Sequence, residues 1–169
     1  LEVVPVSMNL SWMDFYDEAL IDEIVDFLEH PEFPSELIRF EITETSYAAL
    51  EENVGKVLNK IKKKGAWILL DDFGSGYSSF NMLQRFSFDI LKIDMSFTRE
   101  IEMNSRTRRL IPLIIETAHA LDAKTVAEGA ETKEQVEFLR NHGCDYIQGY
   151  YFYRPLKKDE FSEKLDQNS

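Results

Sequence analysis

Trp67-Ile68-Leu69-Leu70-Asp71-Asp72-Phe73-Gly74-Ser75-Gly76-Tyr77 decides how this chain is read. An apolar run of strand type is closed by two carboxylates, and a glycine-rich turn follows. The same order of events recurs on both sides of it. Val3 to Met8 leads to Asn9, Leu37 to Phe40 leads to Glu41, and Phe88 to Leu91 leads to Lys92. Thr125 to Ala127 leads to Glu128, and Asp145 to Ile147 leads to Gln148. Each apolar run ends in a polar residue, and a helical stretch follows. Such βαβα alternation implies parallel strands joined by right-handed crossovers. In a parallel barrel the strand C-termini emerge at one face, where catalytic side chains gather. Residues far apart in sequence are therefore expected to converge there.

The intervening stretches carry the helical period. Over Asp14 to Glu29, the residues Phe15, Leu20, Ile24, Phe27 and Leu28 fall mostly at three- and four-residue steps, and His30-Pro31 stops the run. Tyr47 to Lys63 places Leu50, Val54, Val57, Leu58 and Ile61 on one face, with Gly65 ending it. A short helix is expected around Phe80 to Arg85, after an Asp72 to Ser79 turn that is the candidate for a mobile active-site loop. Further helices are expected near Thr107 to Leu121, Lys133 to Asn141 and Lys158 to Leu165.

The pattern amounts to about six strand-and-helix units, whereas a full (β/α) barrel has about eight and usually needs about 250 residues. The fold expected is α/β, a partial TIM-like (β/α) barrel with mainly parallel strands, in one domain over residues 1–169. Both terminal strands would lack a neighbour, which favours a homodimer or a swapped oligomer through the open edges. Leu1 stands where a translation start would place methionine, so the chain reads as a piece of something longer.

Composition limits the function classes. With 169 residues, 44% of them hydrophobic, the chain can bury a substantial core. A net charge of −12 argues against a nucleic-acid polymer as partner, because phosphate contacts need clustered Lys and Arg. The run Lys60 to Lys64 reads as a solvated helix end. A single cysteine, Cys144, allows no internal disulfide and agrees with a cytoplasmic setting. No apolar stretch is long enough to span a bilayer.

If Glu41, Asp71, Asp72 and Glu128 share one pocket, like charges about 4 Å apart repel by roughly 4 kcal/mol at an effective dielectric of about 20. Cations must offset that repulsion. Carboxylates with an amide oxygen from Asn9 and no histidine form a hard ligand set, which favours Mg²⁺ or Mn²⁺ over Zn²⁺. The adjacent pair Asp71 and Asp72 would let one site hold two ions, suited to phosphoester hydrolysis. A lysine inside an apolar strand must find a charge partner, and Lys92 could orient a water or stabilise a pentavalent phosphorus.

Blander readings exist for each residue alone. Glu41 and Glu44 could cap the following helix, and Glu128 and Glu131 could be acidic residues at an ordinary helix entry. Asp72-Phe73-Gly74 matches a kinase magnesium motif, but no kinase glycine loop or catalytic loop accompanies it. His30, His119 and His142 lie away from strand ends and read as surface or structural residues, and Cys144 reads as a small buried group. A Schiff-base role for Lys92 in an aldolase-like barrel is disfavoured by the surrounding carboxylates.

Met8-Asn9-Leu10-Ser11, Glu41-Ile42-Thr43-Glu44, Asp71-Asp72-Phe73-Gly74-Ser75-Gly76-Tyr77-Ser78-Ser79, Leu91-Lys92-Ile93-Asp94, Ala127-Glu128-Gly129-Ala130-Glu131 and Gln148-Gly149-Tyr150-Tyr151-Phe152 together resemble the EAL-domain cyclic di-GMP phosphodiesterases. The resemblance covers nearly the whole chain. It implies a bacterial TIM-like barrel that hydrolyses cyclic di-GMP to linear pGpG with two Mg²⁺ or Mn²⁺ ions. By the same resemblance, Asn9, Glu41 and Asp71 would hold one ion, and Asp71, Asp72 and Glu128 the other. Glu128 is also implied as general base, Lys92 as holder of the catalytic water, and Gln148 as part of the pocket. Glu44 would anchor the Asp72 to Ser79 loop, which is implied to couple metal binding to dimerisation. Glu131 and Asp94 would support the surrounding groups.

The motif that names the family is expected before the Asn9 strand, and the chain begins after that point. Glu18-Ala19-Leu20 spells the same letters inside the helix that follows Asn9, where its glutamate cannot take a strand-end position. Two functions follow from this. One is a metal-dependent phosphodiesterase in a parent carrying sensor or GGDEF-type domains, with membrane anchoring of the parent left open. The other is a catalytically inactive cyclic di-GMP receptor or regulatory interaction module.

Overall fold

The computed structural model describes residues 3–11, 13–32, 34–43, 52–75, 83–84 and 87–168. Among them, six strands form one sheet in chain order: β1 (Val6–Asn9), β2 (Ile38–Thr43), β3 (Trp67–Phe73), β4 (Ile90–Ile93), β5 (Lys124–Ala127) and β6 (Tyr146–Ile147). Every neighbouring pair is parallel. The helices are α1 (Glu18–Leu28), α2 (Glu52–Lys63), α3 (Met95–Glu100), α4 (Ser105–Ala120), α5 (Lys133–Asn141) and α6 (Lys158–Asn168). This is the partial parallel barrel expected from the sequence, and β1 and β6 each have one strand neighbour.

The two sheet faces differ because side chains alternate along a strand. Phe40, Ile42, Ile68, Leu70, Leu91, Ile93 and Ala127 join Leu28, Leu58, Ile61, Ile111, Ile115 and Leu139 in the main core. The alternate positions Leu69, Ile90 and Val126 form a separate small cluster with Trp67 on the inner face. Glu41, Asp71 and Lys92 share that inner-face phase, which aims them away from the helices.

Several boundaries differ from expectation. The first helix begins at Glu18, because Asp14–Tyr16 forms a 3₁₀ turn and Asp17 breaks out to extended backbone, where its carboxylate accepts the Leu20 N–H at 3.1 Å. Glu41 and Asp71 do not close their strands. The ladder continues through Ile42 opposite Leu70 and Thr43 opposite Asp71, so β2 and β3 run two residues further. The run Lys60 to Lys64 is a docking edge rather than a wholly solvated helix end: Lys60 pairs with Asp22 at 2.9 Å, Lys62 with Asp89 at 2.9 Å, and Lys64 with Glu29. The short helix expected around Phe80 to Arg85 lies largely outside the described residues, as do the start of the Tyr47 to Lys63 helix and the loop beyond Ser75.

Candidate metal centre

Lys92 sits at the centre of the inner face, near the strand C-termini. Its Nζ lies 2.9 Å from Glu41 Oε2, 2.8 Å from Asp71 Oδ1 and 2.9 Å from Glu128 Oε1. The lysine is buried at 7% exposure, so this triple pairing is what permits a charge at that position. Burial alone would lower its pKa, but the hydrogen bonds to Asp71, Glu41 and Glu128 outweigh it and hold the ammonium above its ordinary range.

Asp71 and Asp72 are brought to the same side by a local irregularity. Consecutive strand residues face opposite sides of a sheet. Here the β3–β4 register shifts between Leu70 and Phe73, and Asp72 takes a left-handed conformation with φ 56°. An extra residue of this kind bends the strand and re-aims a side chain. Asp71 Oδ1 also accepts the Asp72 N–H at 3.0 Å, bracing the turn. As a result Asp71, Asp72 and Glu128 each present a carboxylate oxygen within 4.8 Å of the others.

Backbone hydrogen bonds continue past the strand ends and place the remaining residues. Glu128 N–H reaches Ile93 O at 3.1 Å, Gln148 N–H reaches Ala127 O at 2.9 Å, and Ala130 N–H reaches Gln148 O at 3.1 Å. Two glycines permit the tight passage. Gly129 has φ +72°, and a Cβ there would lie 2.6 Å from Met95 Cβ; at Gly149 a Cβ would lie 2.1 Å from Ala130 O and 2.3 Å from Ala130 N. Met95, Arg99, Glu128, Gly129, Glu131, Gln148, Gly149 and Tyr150 line a cavity of about 170 Å³ beside the carboxylates. Arg99 and Tyr150 end no strand, so the strand-end pattern in the sequence does not mark them as lining residues.

The electrostatics agree with a cation site. Burial lifts the Asp72 carboxyl above its ordinary range, and the Asp71 and Asp94 charges push the same way. Burial also lifts the Glu128 carboxyl; Lys92 pulls it back, and Asp71 and Glu41 push it up again. A divalent ion would relieve both. The donors are hard carboxylate oxygens, so the residues present fit Mg²⁺ or Mn²⁺.

The other expected residues take varied places. Asn9 ends β1 directly opposite Glu41 in the ladder. Asp94 caps α3, accepting the Ser96 N–H at 3.0 Å. Glu131 lies 3.6 Å from Arg99 and donates its backbone N–H to Gln135 at 2.7 Å. Glu44 lies outside the described residues. His119 pairs with Asp145 at 2.9 Å and His142 Nδ1 contacts Phe138 O at 2.7 Å, and neither belongs to the Asp71, Asp72 and Glu128 cluster. Burial pushes the Cys144 thiol up, in keeping with an unreactive packed group.

A parallel half-barrel with an acidic cluster around one buried lysine defines a class of barrel proteins with a metal-type site. Comparison narrows the class, since the EAL domain family model matches residues 1–155. The chain belongs to the EAL domain family. It is 37% identical over 163 residues to the probable cyclic di-GMP phosphodiesterase PdeB of Escherichia coli, covering 96% of this chain and 31% of PdeB. It is 35% identical over 156 residues to the bifunctional diguanylate cyclase/cyclic di-GMP phosphodiesterase MucR of Pseudomonas aeruginosa, covering 92% of this chain and 23% of MucR. The chain thus spans less than a third of either relative. Among solved structures, a manganese and cyclic di-GMP complex of Klebsiella pneumoniae BlrP1 superposes with a TM-score of 0.82 at 28% identity, covering 89% of this chain and 39% of that one.

Proposed function

We propose that this domain hydrolyses cyclic di-GMP to linear pGpG with two Mg²⁺ or Mn²⁺ ions. The observation that carries the reading is the convergence of Asp71, Asp72 and Glu128 within 4.8 Å beside a lysine that ties in Glu41. Support comes from the family and from relatives named as cyclic di-GMP phosphodiesterases. Asp71, Asp72 and Glu128 would hold one ion, and Asn9, Glu41 and Asp71 the other. Bound there, the ions would supply Lewis acidity to the phosphodiester and lower the pKa of water.

The chain's own groups do the rest. Glu128, lifted by burial, is suited to accept a proton from the attacking water. The water oxygen attacks phosphorus as Glu128 takes its proton, the P–O3′ bond breaks, and the 3′ oxygen leaves as a hydroxyl after taking a proton from solvent water. Lys92 holds Glu41, Asp71 and Glu128 in register and offers positive charge where the phosphorane becomes most negative. Gln148 lines the cavity next to Glu128, placed to orient substrate.

In the parent protein the domain would lie on the cytoplasmic side, beside sensor or GGDEF-type domains, and assemble as a homodimer or swapped oligomer. No helix among the described residues is long and apolar enough to cross a membrane. The test is incubation of the full-length parent with cyclic di-GMP and Mn²⁺, with products resolved by chromatography and binding followed by calorimetry. Linear pGpG is expected. Binding without turnover would replace the enzyme by the inactive receptor, and neither binding nor turnover would overturn both.

A further inference from the structure

Arg99 lines the cavity beside Glu128, yet the hydrolytic chemistry gives it no task. It stands on α3, and that helix is fixed against two glycine turns. Phe97 occupies the space beside Gly74, where a Cβ would lie 2.3 Å from the Phe97 ring, and Met95 occupies the space beside Gly129, where a Cβ would lie 2.6 Å from Met95 Cβ. Gly74 lies two residues after Asp72, and Gly129 directly follows Glu128. Asp94 caps the start of α3, and Thr98 on the same helix is fully buried. The helix is therefore clamped to both turns that carry candidate metal ligands. Met95 and Arg99, four residues apart on it, share the face that lines the cavity.

The backbone of Arg99 is held, but its side chain is only loosely engaged. Its guanidinium lies 3.6 Å from Glu131, which lines the same cavity, and the two side chains are 59% and 48% exposed. A charge-assisted hydrogen bond closes to about 2.7–2.9 Å, so both groups keep capacity for a ligand. An exposed pair of this kind adds little to stability. What it offers is a planar fork of N–H donors next to a carboxylate that only accepts.

That order of donors and acceptors distinguishes the purines. Guanine presents N7 and O6 as acceptors, which a guanidinium can take in bidentate fashion, and its N1–H donor sits beside O6. Adenine carries an amino group in place of O6 and a bare N1 beside it, which would set donor against donor and acceptor against acceptor. Met95 and Tyr150, both partly exposed, give the cavity wall apolar surface on which a base can lie.

We propose that Arg99, with Glu131 beside it, determines the base specificity of this site: the guanidinium takes N7 and O6 of one guanine of the substrate and the carboxylate takes its N1–H. This rests on the cyclic di-GMP hydrolysis proposed for the domain. Arg99 acts on the choice of base and takes no part in breaking the phosphodiester.

The test compares kcat/KM of the full-length parent for cyclic di-GMP and cyclic di-AMP in Mn²⁺. Arg99→Met should lower the guanine-to-adenine ratio about tenfold or more, the discrimination typical of one bidentate contact, and should do so through KM rather than kcat. Arg99→Lys keeps the charge without the fork and should lose most of the same ratio. Calorimetric titration with both nucleotides in Ca²⁺, another hard ion for oxygen ligands, reads the ratio as affinity, with chromatography confirming that the nucleotide stays intact. Melting temperatures confirm that the variants fold. An unchanged ratio in Arg99→Met, or full recovery by Arg99→Lys, would overturn the proposal while leaving the phosphodiesterase standing. A parent that binds without cleaving would remove the enzyme alone, and the affinity ratio would then decide the role of Arg99. A parent that binds neither nucleotide would overturn both.

Discussion

Asp71 and Asp72 are adjacent along β3, yet both offer carboxylate oxygens to the same point in space, within 4.8 Å of each other and of Glu128. The positive φ of Asp72 makes this happen. Asparagine tolerates left-handed backbone nearly as well as aspartate. Asp72→Asn should therefore keep the fold while weakening Mn²⁺ binding, whereas Asp72→Val should also destabilise the chain by about 1–2 kcal/mol from backbone strain. Mn²⁺ calorimetry and urea melts separate the two effects, and a valine variant as stable as the asparagine one would refute the role of the turn.

Lys92 compensates three carboxylates that are themselves mostly buried, with side-chain exposures of 14% to 16%. Replacing it with methionine leaves those charges uncompensated, at a cost of about 3–5 kcal/mol in EDTA. Mn²⁺ should restore part of that loss by supplying positive charge from the other side. Denaturant midpoints with and without Mn²⁺ check this; a variant as stable as the parent in EDTA would contradict the account.

Gly149 passes against the Ala130 backbone so closely that a Cβ would sit 2.1 Å from its carbonyl oxygen and 2.3 Å from its nitrogen. Backbone cannot swing aside as a flexible side chain can. Gly149→Ala should cost about 1–3 kcal/mol and displace Gln148 from Glu128. Thermal melts would read the first effect and substrate KM the second.

Asp145 joins β6 to β5 and α4 by accepting from the Thr125 N–H and hydroxyl and pairing with His119. Burial alone would raise its pKa, but the His119 and Thr125 hydrogen bonds outweigh it and hold the carboxyl below its ordinary value of 3.8. A depressed native pKa contributes stability that is present above the ordinary value and disappears as pH falls through the lower native one. Acid unfolding should therefore be less steep in Asp145→Asn, with the difference between the proteins shrinking as pH falls. Parallel pH titrations of unfolding free energy would reveal a constant gap if the account is wrong.

Much of the site was legible because strand and helix periods differ. Glu41, Lys92, Glu128 and Gln148 each follow an apolar run, and parallel topology sends such positions to one mouth. What the sequence blurred was local. Asp17 is a capping residue that looks like any other acid in a helical stretch, so the start of α1 was placed too early. The pairing of β2 with β3 beyond Glu41 depends on a partner strand and is invisible in either segment alone. Arg99 and Tyr150 reach the cavity from α3 and from the turn after β6, where no periodic signal marks them.

The order of apolar runs and helices determined a parallel α/β sheet, its inward positions and the acidic side chains at its strand ends, because side-chain alternation and polarity are properties of short segments. Tertiary structure alone decided that Asp72 turns to join Asp71 and that Lys92 is shared among three carboxylates. Those depend on register and bulge geometry between strands, which arise only when separate segments pack together.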